Sequence, residues 1–338
     1  MRIDTKPLID AIDRYIAKAD DDLKETLASE GYVKAEEAVE AINVLEDAVS
    51  EALESDADEF LSRVQEATGI DDFISDIWPT IKTSEDLKNA LHDIFKTQFD
   101  DMLRKFTFNW ILSEQPEFAP HIDDTRITKP AEDFIKKWSG DLADLMHLST
   151  KDAMERILLK AQEKGWTIDE VSTAISDSGI RQVGYRSRRV AVTEVLRVES
   201  YAQQESMVQE PLTYAKKWKH VSSPHPRENH IAIDGQEVFK RETFTLTGAD
   251  GVVYHPVCPR DTSLPAKETI NCHCIMEAVS DANAKGISKD DWLQMRQAAM
   301  DEVDKEWEDR MQTEEALRYA DESVIDDYYN QVFGSQGA

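Results

Sequence analysis

The stretch AEEAVEAINVLEDAVSEALESDADEFLSRVQEA, residues 35–67, contains neither glycine nor proline. Its large apolar side chains recur at intervals of three, four and seven residues, so they fall on one face of a helix. These apolar positions are Val39, Ile42, Leu45, Val49, Leu53 and Phe60. Acidic residues occupy many of the remaining positions. The stretch is therefore predicted to be an amphipathic helix with one buried face.

Two neighbouring stretches show the same periodicity. They are PLIDAIDRYIAKADDDL, residues 7–23, and SEDLKNALHDIFKTQFDDMLRKFTFNWIL, residues 84–112. Acidic residues clearly outnumber basic ones over the region as a whole, so residues 1–112 are predicted to form an acidic helical region. Two interpretations stay open: the apolar faces form the core of a helical bundle, or one of them docks onto another protein.

Composition and charge argue against nucleic-acid-binding, membrane and disulfide-rich proteins. The chain has 338 residues, and its 68 acidic and 39 basic side chains give a net charge of -29. Most of such a surface repels nucleic acid, so any DNA contact needs a local basic patch. No stretch has the length of a membrane span and the N-terminus lacks a signal-peptide core, so we expect a cytoplasmic origin and no membrane partner. Three cysteines do not make a disulfide framework.

Residues 113–133, SEQPEFAPHIDDTRITKPAED, contain three prolines and are predicted to be a linker. Helical periodicity resumes at Phe134, and two helices are expected before Gly165, separated by a cap at Ser149. Thr167 and Glu170 have the spacing of a capping box that opens the next helix.

A group of arginines follows in RQVGYRSRRVAVTEVLRVES, residues 181–200, within an otherwise acidic chain. The group consists of Arg181, Arg186, Arg188, Arg189 and Arg197. The guanidinium groups can pair with acids of the protein itself, or they can form a patch that contacts the phosphates of DNA.

The composition changes after Pro211. LTYAKKWKHV, residues 212–221, is predicted to be a strand. HIAI and QEVF, residues 230–239, are predicted to form a hairpin around Asp234-Gly235, and residues 244–257 a second strand pair. The predicted fold class is therefore α+β and predominantly helical: an N-terminal helical region, further helices with a small β-rich unit, and a terminal helix.

Seven candidate metal ligands lie between residues 225 and 274. They are His225, His230, His255, Cys258, Cys272, His273 and Cys274. Four of them, His230, Cys258, Cys272 and Cys274, could hold a tetrahedral structural zinc ion. The cofactor is otherwise unknown. The alternatives are that the cysteines are packing residues, or that a disulfide forms late in oxidising surroundings.

Residues 281–338 form a predicted helical tail that begins at a cap on Ser288. Apolar residues recur along it at helical spacing. They are Trp292, Met295, Ala299, Val303, Trp307 and Met311. The tail either packs on its own chain or binds a neighbouring component.

Several motifs, in this order, resemble the bacteriophage Mu F-like head morphogenesis proteins, a family of minor capsid proteins. The motifs are TEVLRVESYAQQE, KKW, PRENHIAIDGQEV and GVVYHPVCPRDTSLPAKETINCHC. The matching positions are Thr193, Glu194, Trp218, Arg227, His230, Asp234, Gly235, Pro265, Asn271, Cys272 and Cys274. Residues 134–280 are accordingly interpreted as a Mu F-like domain.

The resemblance implies a low-copy, structural head protein of a tailed phage or prophage. Such a protein is built into the procapsid, is associated with the portal, and affects head assembly and the packaged DNA. Its expected partners are the portal protein and other capsid or scaffold components. Its expected location is the capsid interior or portal vertex, and the host cytoplasm during assembly. The acidic residues 1–112 are then the docking or head-interior part.

An enzyme is the alternative hypothesis. His225, His230 and the cysteines could serve a metal-dependent nuclease, with His230 as general base. Against this, no carboxylate set is apparent beside His230 in the sequence, and the net charge opposes the approach of a nucleic-acid substrate. We therefore expect no catalytic activity and no catalytic residues.

Overall fold

The structure is a computed structural model that describes residues 22–32, 34–80, 83–114, 126–178, 183–221, 226–270, 272–280 and 287–333. Among these residues, no helix is long and apolar enough to cross a membrane. Helices make up most of the described chain, and a few short antiparallel strands lie in its C-terminal half. The predominantly helical α+β fold class is therefore confirmed.

The stretch that contains the apolar stripe forms helix α2, Ala35–Glu66, after a helix α1 whose described part is residues 22–30. All six stripe positions of α2 are buried. Helix α4, Thr83–Glu114, packs beside α2. It buries Leu87, Leu91, Phe95, Phe99 and Leu103. The helix predicted over residues 7–23 falls almost entirely outside the described residues.

Short helical turns connect α2 to α4. They are α3, Ile70–Asp72, a π-helical turn, Phe73–Ile77, and a 3-10 turn, Trp78–Thr80. The rings of Phe73 and Trp78 each meet Phe60 of α2 edge-on, with ring centroids 5.7 Å apart. Edge-to-face packing suits the ring quadrupoles, so this aromatic group fixes the turn at the end of α2.

Helix α5 runs without interruption from Lys129 to Lys164. The prediction of two helices separated at Ser149 is therefore wrong. The hydroxyl of Thr150 donates to the carbonyl of Met146 at 3.1 Å, so it is satisfied inside the helix rather than opening a new one. The helix ends, as predicted, at Gly165, whose φ of 63° is the left-handed conformation that glycine adopts without strain.

Helix α6, Ile168–Ser178, begins with the predicted capping box. The backbone N–H of Thr167 donates to the Glu170 carboxylate at 2.7 Å. In return, the N–H of Glu170 donates to the Thr167 hydroxyl at 3.3 Å. The box satisfies backbone donors that the first turn of a helix otherwise leaves open, and this part of the prediction is confirmed.

Helix α7, Val183–Gln209, lies at the centre of the molecule and packs against α2 and α4. None of its side chains between Ala191 and Gln209 is exposed. On another side, the ring of Tyr201 stacks on Phe134 of α5 with centroids 3.8 Å apart. One hydrophobic core therefore includes side chains from α2, α4, α5 and α7. The functional division of the chain at residues 113–133 stays a prediction.

Strand β1, Thr213–Lys219, is the centre of a three-stranded antiparallel sheet. Its neighbours are β2, Glu237–Phe239, and β5, Ile275–Ser280. Strands β3, Leu246–Thr247, and β4, Val253–Tyr254, form a separate antiparallel pair. The strand predicted over residues 212–221 and the strand pair predicted over residues 244–257 are both confirmed.

The predicted hairpin of residues 230–239 is wrong in its first arm. Residues around His230 form the short helix α8, Glu228–Ala232, because the carbonyl of Arg227 accepts from the N–H groups of both His230 and Ile231. Strand β2 pairs with β1 instead. The turn itself is present, since Gly235 has a φ of 78°.

The outer edge of β5 is covered by a side chain rather than by another strand. The amide of Gln203, on α7, donates to the carbonyl of Met276. The N–H of Met276 donates back to the Gln203 amide oxygen at 3.2 Å. Gln203 thus makes the pair of hydrogen bonds that a neighbouring strand residue makes in an antiparallel ladder.

Helix α10, Lys289–Phe333, begins at the predicted cap, where the N–H of Asp291 donates to the Ser288 hydroxyl at 3.2 Å. Trp292 is buried, and its indole N–H donates to Glu210 at 2.9 Å. Ion pairs continue along the helix from the body of the protein to its acidic side chains. They are Arg126–Asp301, Lys129–Glu308, Arg241–Glu302 and Arg241–Glu306. The first half of the tail therefore packs on its own chain.

A matched pair of substitutions in α2 tests the buried stripe. Leu45→Ala should lower the free energy of unfolding by about 2–5 kcal/mol, because Leu45 is 0% exposed and its removal leaves a cavity. Val44→Ala on the neighbouring, 46% exposed position should change it by less than about 0.5 kcal/mol. Urea unfolding followed by circular dichroism measures both. Equal losses for the two variants would contradict the assignment of faces.

A second pair tests the docking of α10. Trp292→Ala removes a buried ring and the hydrogen bond to Glu210, so hydrogen exchange in residues 289–308 should accelerate while exchange in α7 stays slow. Met295→Ala, at a 43% exposed position of the same helix, is the control and should leave exchange unchanged. Unchanged exchange in Trp292→Ala would show that the surface ion pairs alone hold the helix.

Candidate functional site

A buried group of His230, Cys272 and Cys274 lies where α8 meets the loop before β5. The Nδ1 atom of His230 is 3.6 Å from Cys272 Sγ and 3.5 Å from Cys274 Sγ. One ligand atom from each residue lies within 4.8 Å of the other two. His220, at the end of β1, adds a further nitrogen 3.7 Å from Cys274 Sγ. These side chains could hold a metal ion.

Glu268, at the end of helix α9 (Ala266–Thr269), orients His230 from the other side. Its carboxylate lies 3.1 Å from His230 Nε2. It also accepts from the Asn229 side chain at 2.9 Å and from the N–H of Ala249 at 3.0 Å. Burial tends to raise the pKa of Glu268, but these hydrogen bonds and His230 outweigh it and lower that pKa. The carboxylate is therefore charged, and it directs Nδ1 of His230 towards the cysteines.

The two nearby thiols titrate as a pair. The neighbouring Cys274 thiol, with His230 and Arg260, lowers the pKa of Cys272 well below its usual value despite burial. The neighbouring Cys272 and burial raise the pKa of Cys274. Cys272 is therefore the thiol that loses its proton more easily, and thiolates are the form that binds metals.

Arg260 lies between α7 and the cysteine loop, residues 272–274. Its guanidinium is buried, and its φ is positive at 62°. It donates to the carbonyl of Cys272 at 2.5 Å, to the carbonyl of Leu196 at 2.9 Å and to the hydroxyl of Ser200 at 2.5 Å. The carbonyl of Arg260 accepts in turn from Arg197. The loop is thereby anchored to α7 through two arginines.

Burial beside Arg260 leaves one carboxylate in an unusual state. Neither carboxylate oxygen of Glu199 has a hydrogen-bond partner among the described residues. Burial raises the pKa of Glu199 to about 8, against the opposing charge of Arg260. Glu199 is therefore largely protonated at neutral pH, because desolvation disfavours its charged form.

Aromatic and apolar side chains enclose the group. Trp218 of β1 is fully buried and meets His230 edge-on, with ring centroids 5.8 Å apart. Phe244 packs against Trp218 in the same manner at 5.3 Å. Both cysteines of the C-x-C motif belong to this cluster, so water is excluded from them.

Of the four zinc ligands predicted from the sequence, the structure brings together His230, Cys272 and Cys274 but not Cys258. Cys258 is buried in the same apolar cluster, yet it is not one of the ligand atoms within 4.8 Å of one another. Its neighbours are Asp261 and Lys216, and burial raises the pKa of its thiol. Cys258 is therefore a packing residue here.

The other candidate ligands lie apart. His273 faces the opposite way and lies 2.7 Å from the carboxylate of Glu30 in α1. His255 is exposed. His225 and the motif residue Asn271 fall outside the described residues.

The remaining family-motif residues hold the same unit together. Glu194 and Thr193 are buried on α7, where Glu194 accepts from Arg197 at 2.9 Å and from the Trp138 indole at 2.6 Å. Arg227 donates to the carbonyls of Lys267 and Ile270. Pro265 precedes α9. Asp234 accepts from the N–H of His220 at 2.8 Å.

The five arginines that could pair with acids of the protein or contact DNA lie in different surroundings. Arg197 is 3% exposed and paired with Glu194, so its guanidinium is not available to a phosphate. Arg188 donates to Asn43 and Glu46 of α2. Arg189 is exposed. Arg181 and the side chain of Arg186 fall outside the described part of the chain.

Sequence reasoning missed Glu268 and Arg260, which complete the site. Both lie within the quoted motif GVVYHPVCPRDTSLPAKETINCHC, in its segments CPRD and ETINCHC. The available signal was weak, since neither an acid four residues before a cysteine nor a lone arginine after a proline predicts burial. Their roles depend on contacts with α7 and α8, which the spacing of residues along the sequence does not show.

Comparison with known proteins identifies the same segment. Residues 152–277 match the family described as "Phage Mu protein F like protein", and the resemblance inferred from the motifs is thereby confirmed. A Bacillus subtilis (strain 168) protein, "Uncharacterized protein YqbB", is 32% identical over 206 residues. That alignment covers 59% of this chain and 66% of the relative. No solved structure matches significantly.

Glu199 generates a pH prediction. Its folded-state pKa of about 8 lies above that of an unfolded glutamate, so the native state holds the proton more tightly and loses stability as pH rises towards 8. The loss approaches about 1.4 kcal/mol per pH unit at most. The free energy of unfolding of Glu199→Gln relative to wild type should therefore rise between pH 5 and pH 8, measured by urea unfolding. The exposed control Glu51→Gln should show no such trend, and a flat difference for Glu199→Gln would refute the assignment.

Proposed function

Because residues 152–277 match the Mu F-like family, we propose that this chain is a minor capsid protein that acts in head morphogenesis of a tailed phage or prophage. Its proposed locations are the capsid interior or portal vertex in the virion, and the host cytoplasm during assembly. The proposed partners are the portal protein and other capsid or scaffold components. The family match carries the proposal, and it includes His230, Glu268 and both cysteines of the C-x-C motif.

The surface of the N-terminal region suits a docking role within this proposal. Helices α2 and α4 use their apolar stripes for the core, so the faces left to a partner are largely acidic. A complementary partner surface would be basic, and rim charges of this kind govern association rate and specificity. We propose residues 1–112 as the docking or head-interior part, residues 113–133 as the linker, residues 134–280 as the Mu F-like domain and residues 281–338 as the tail.

The burial of His230 and its partners supports a structural role for the site over that of a metal-dependent nuclease. His230 and Glu268 are each 1% exposed, and Trp218 packs against the imidazole. A nuclease site needs an open metal position that a phosphate can reach. A closed site, like those of structural metals, suits a part that must hold its shape in a particle.

A proposed contact with packaged DNA is limited by the pairing of the arginines. Arg197 is buried, and Arg188 is held by α2. Arg189 is the exposed member among those whose side chains are described. With one exposed arginine among the described members of this group, on a chain of net charge -29, a weak contact is favoured over a DNA-binding function.

The test is deletion of the gene in the phage or prophage, with complementation from a plasmid. We expect few infectious, DNA-filled heads without the protein, and recovery with the wild-type copy. Mass spectrometry of washed, nuclease-treated heads should detect the protein at low copy, and cross-linking should join it to the portal. Normal heads without the gene, together with absence of the protein from purified particles, would refute the proposal.

The nuclease alternative has its own measurement. Purified protein is incubated with plasmid DNA and Mg²⁺ or Mn²⁺, beside His230→Ala and the exposed control His255→Ala. We expect no cutting by any of the three. Metal-dependent cutting that His230→Ala abolishes and His255→Ala retains would establish the enzyme instead.

A further inference from the structure

We propose that His230, Cys272 and Cys274, with His220 as the fourth ligand, bind one structural zinc ion. The ion would join the end of β1, helix α8 and the loop before β5. The ion would stabilise the β-rich unit whatever the role of the chain in the head. In this site His220 takes the place of Cys258 in the set proposed from the sequence.

The distances between the side chains fit tetrahedral coordination of one ion. Zn–S bonds of about 2.3 Å and Zn–N bonds of about 2.0–2.1 Å at tetrahedral angles place sulfur and nitrogen ligands about 3.6 Å apart. The separations of His230 Nδ1 from the two sulfurs are 3.6 Å and 3.5 Å, and His220 Nδ1 is 3.7 Å from Cys274. Three sulfur–nitrogen edges of a tetrahedron are therefore already present.

The carboxylate behind His230 is a second, independent observation. Glu268 lies 3.1 Å from His230 Nε2, while Nδ1 faces the sulfurs. Metal-bound histidines commonly donate their other N–H to a carboxylate, which fixes the ring and its tautomer. Glu268 is itself fixed by Asn229 and by the N–H of Ala249, so the histidine is held in advance of any ion.

The size of the surrounding unit explains why a metal would matter. Strands β3 and β4 have two residues each, and helices α8 and α9 have five and four. The local apolar cluster has few large side chains besides Trp218 and Phe244. Elements this short bury little apolar area, and a bound zinc ion adds its binding free energy directly to folding.

His220 is the fourth ligand because its backbone is fixed next to Cys274. Its backbone N–H donates to Asp234 at 2.8 Å, which holds it beside Cys274. It is not within 4.8 Å of all three other ligand atoms, so coordination requires the imidazole to move slightly inward. The ring is half-buried, so part of it is open to solvent.

The primary experiment measures metal in untagged full-length protein purified under reducing conditions. We expect about one zinc per chain by mass spectrometry, with Cys272 and Cys274 protected from a thiol reagent until a chelator is added. Replacement by Co²⁺ should give visible and near-ultraviolet absorption from a tetrahedral thiolate site. Absence of zinc together with no cobalt–thiolate absorption would overturn the proposal, and so would a disulfide between the two cysteines in the reduced preparation.

Variants assign the ligands. Cys272→Ser and His230→Ala should lose zinc, His220→Ala should release it at chelator concentrations that the wild type resists, and Glu268→Gln should weaken zinc binding by about 10–100-fold. Cys258→Ser is the matched control, a buried cysteine of the same cluster outside the ligand group, and should keep full zinc. Zinc loss in Cys258→Ser, or full retention in Cys272→Ser, would refute the assignment. The cobalt spectrum of the wild type decides the question even where a variant fails to fold.

Discussion

The rest of the structure depends on one constraint, the burial of polar side chains along α7. A buried charge or amide must find a hydrogen-bond partner, since an unpaired one costs several kilocalories per mole. Most of these side chains find their partners on other elements. The pairs are Glu194 with Trp138, Arg197 with the Arg260 carbonyl, Gln203 with Met276, Glu205 with Thr128, and Gln209 with Arg296. Helix α7 therefore sets the position of α5, the cysteine loop, β5 and α10.

The cysteine loop shows how this constraint reaches the candidate site. Arg197 holds the carbonyl of Arg260, and Arg260 holds the carbonyl of Cys272. The positive φ of Arg260 is a strained conformation for a residue with a side chain, and these hydrogen bonds compensate for it. The position of Cys272 is thus set from α7, while that of His230 is set by Glu268 from the opposite side.

Periodicity and capping predicted the long helices well, because stripes such as that of α2 and boxes such as Thr167–Glu170 are local patterns. The break at Ser149 and the strand at His230 were wrong because local signals were overridden by the continued packing of α5 and by the hydrogen bonds that start α8. The site was predicted in part. Two cysteines and one histidine could be found from residue type, whereas partners such as Glu268 depend on tertiary contacts.

Gln203 has a consequence for solubility at high local concentration. An uncovered strand edge offers its N–H and carbonyl groups to any other chain, and such edges promote aggregation. At Met276 both groups are already engaged by the amide of Gln203. Because that amide is carried by a buried helix, it cannot swing away without disturbing the core. The sheet is therefore closed at this point by a side chain of its own molecule, and crowded copies cannot extend it there by adding a strand.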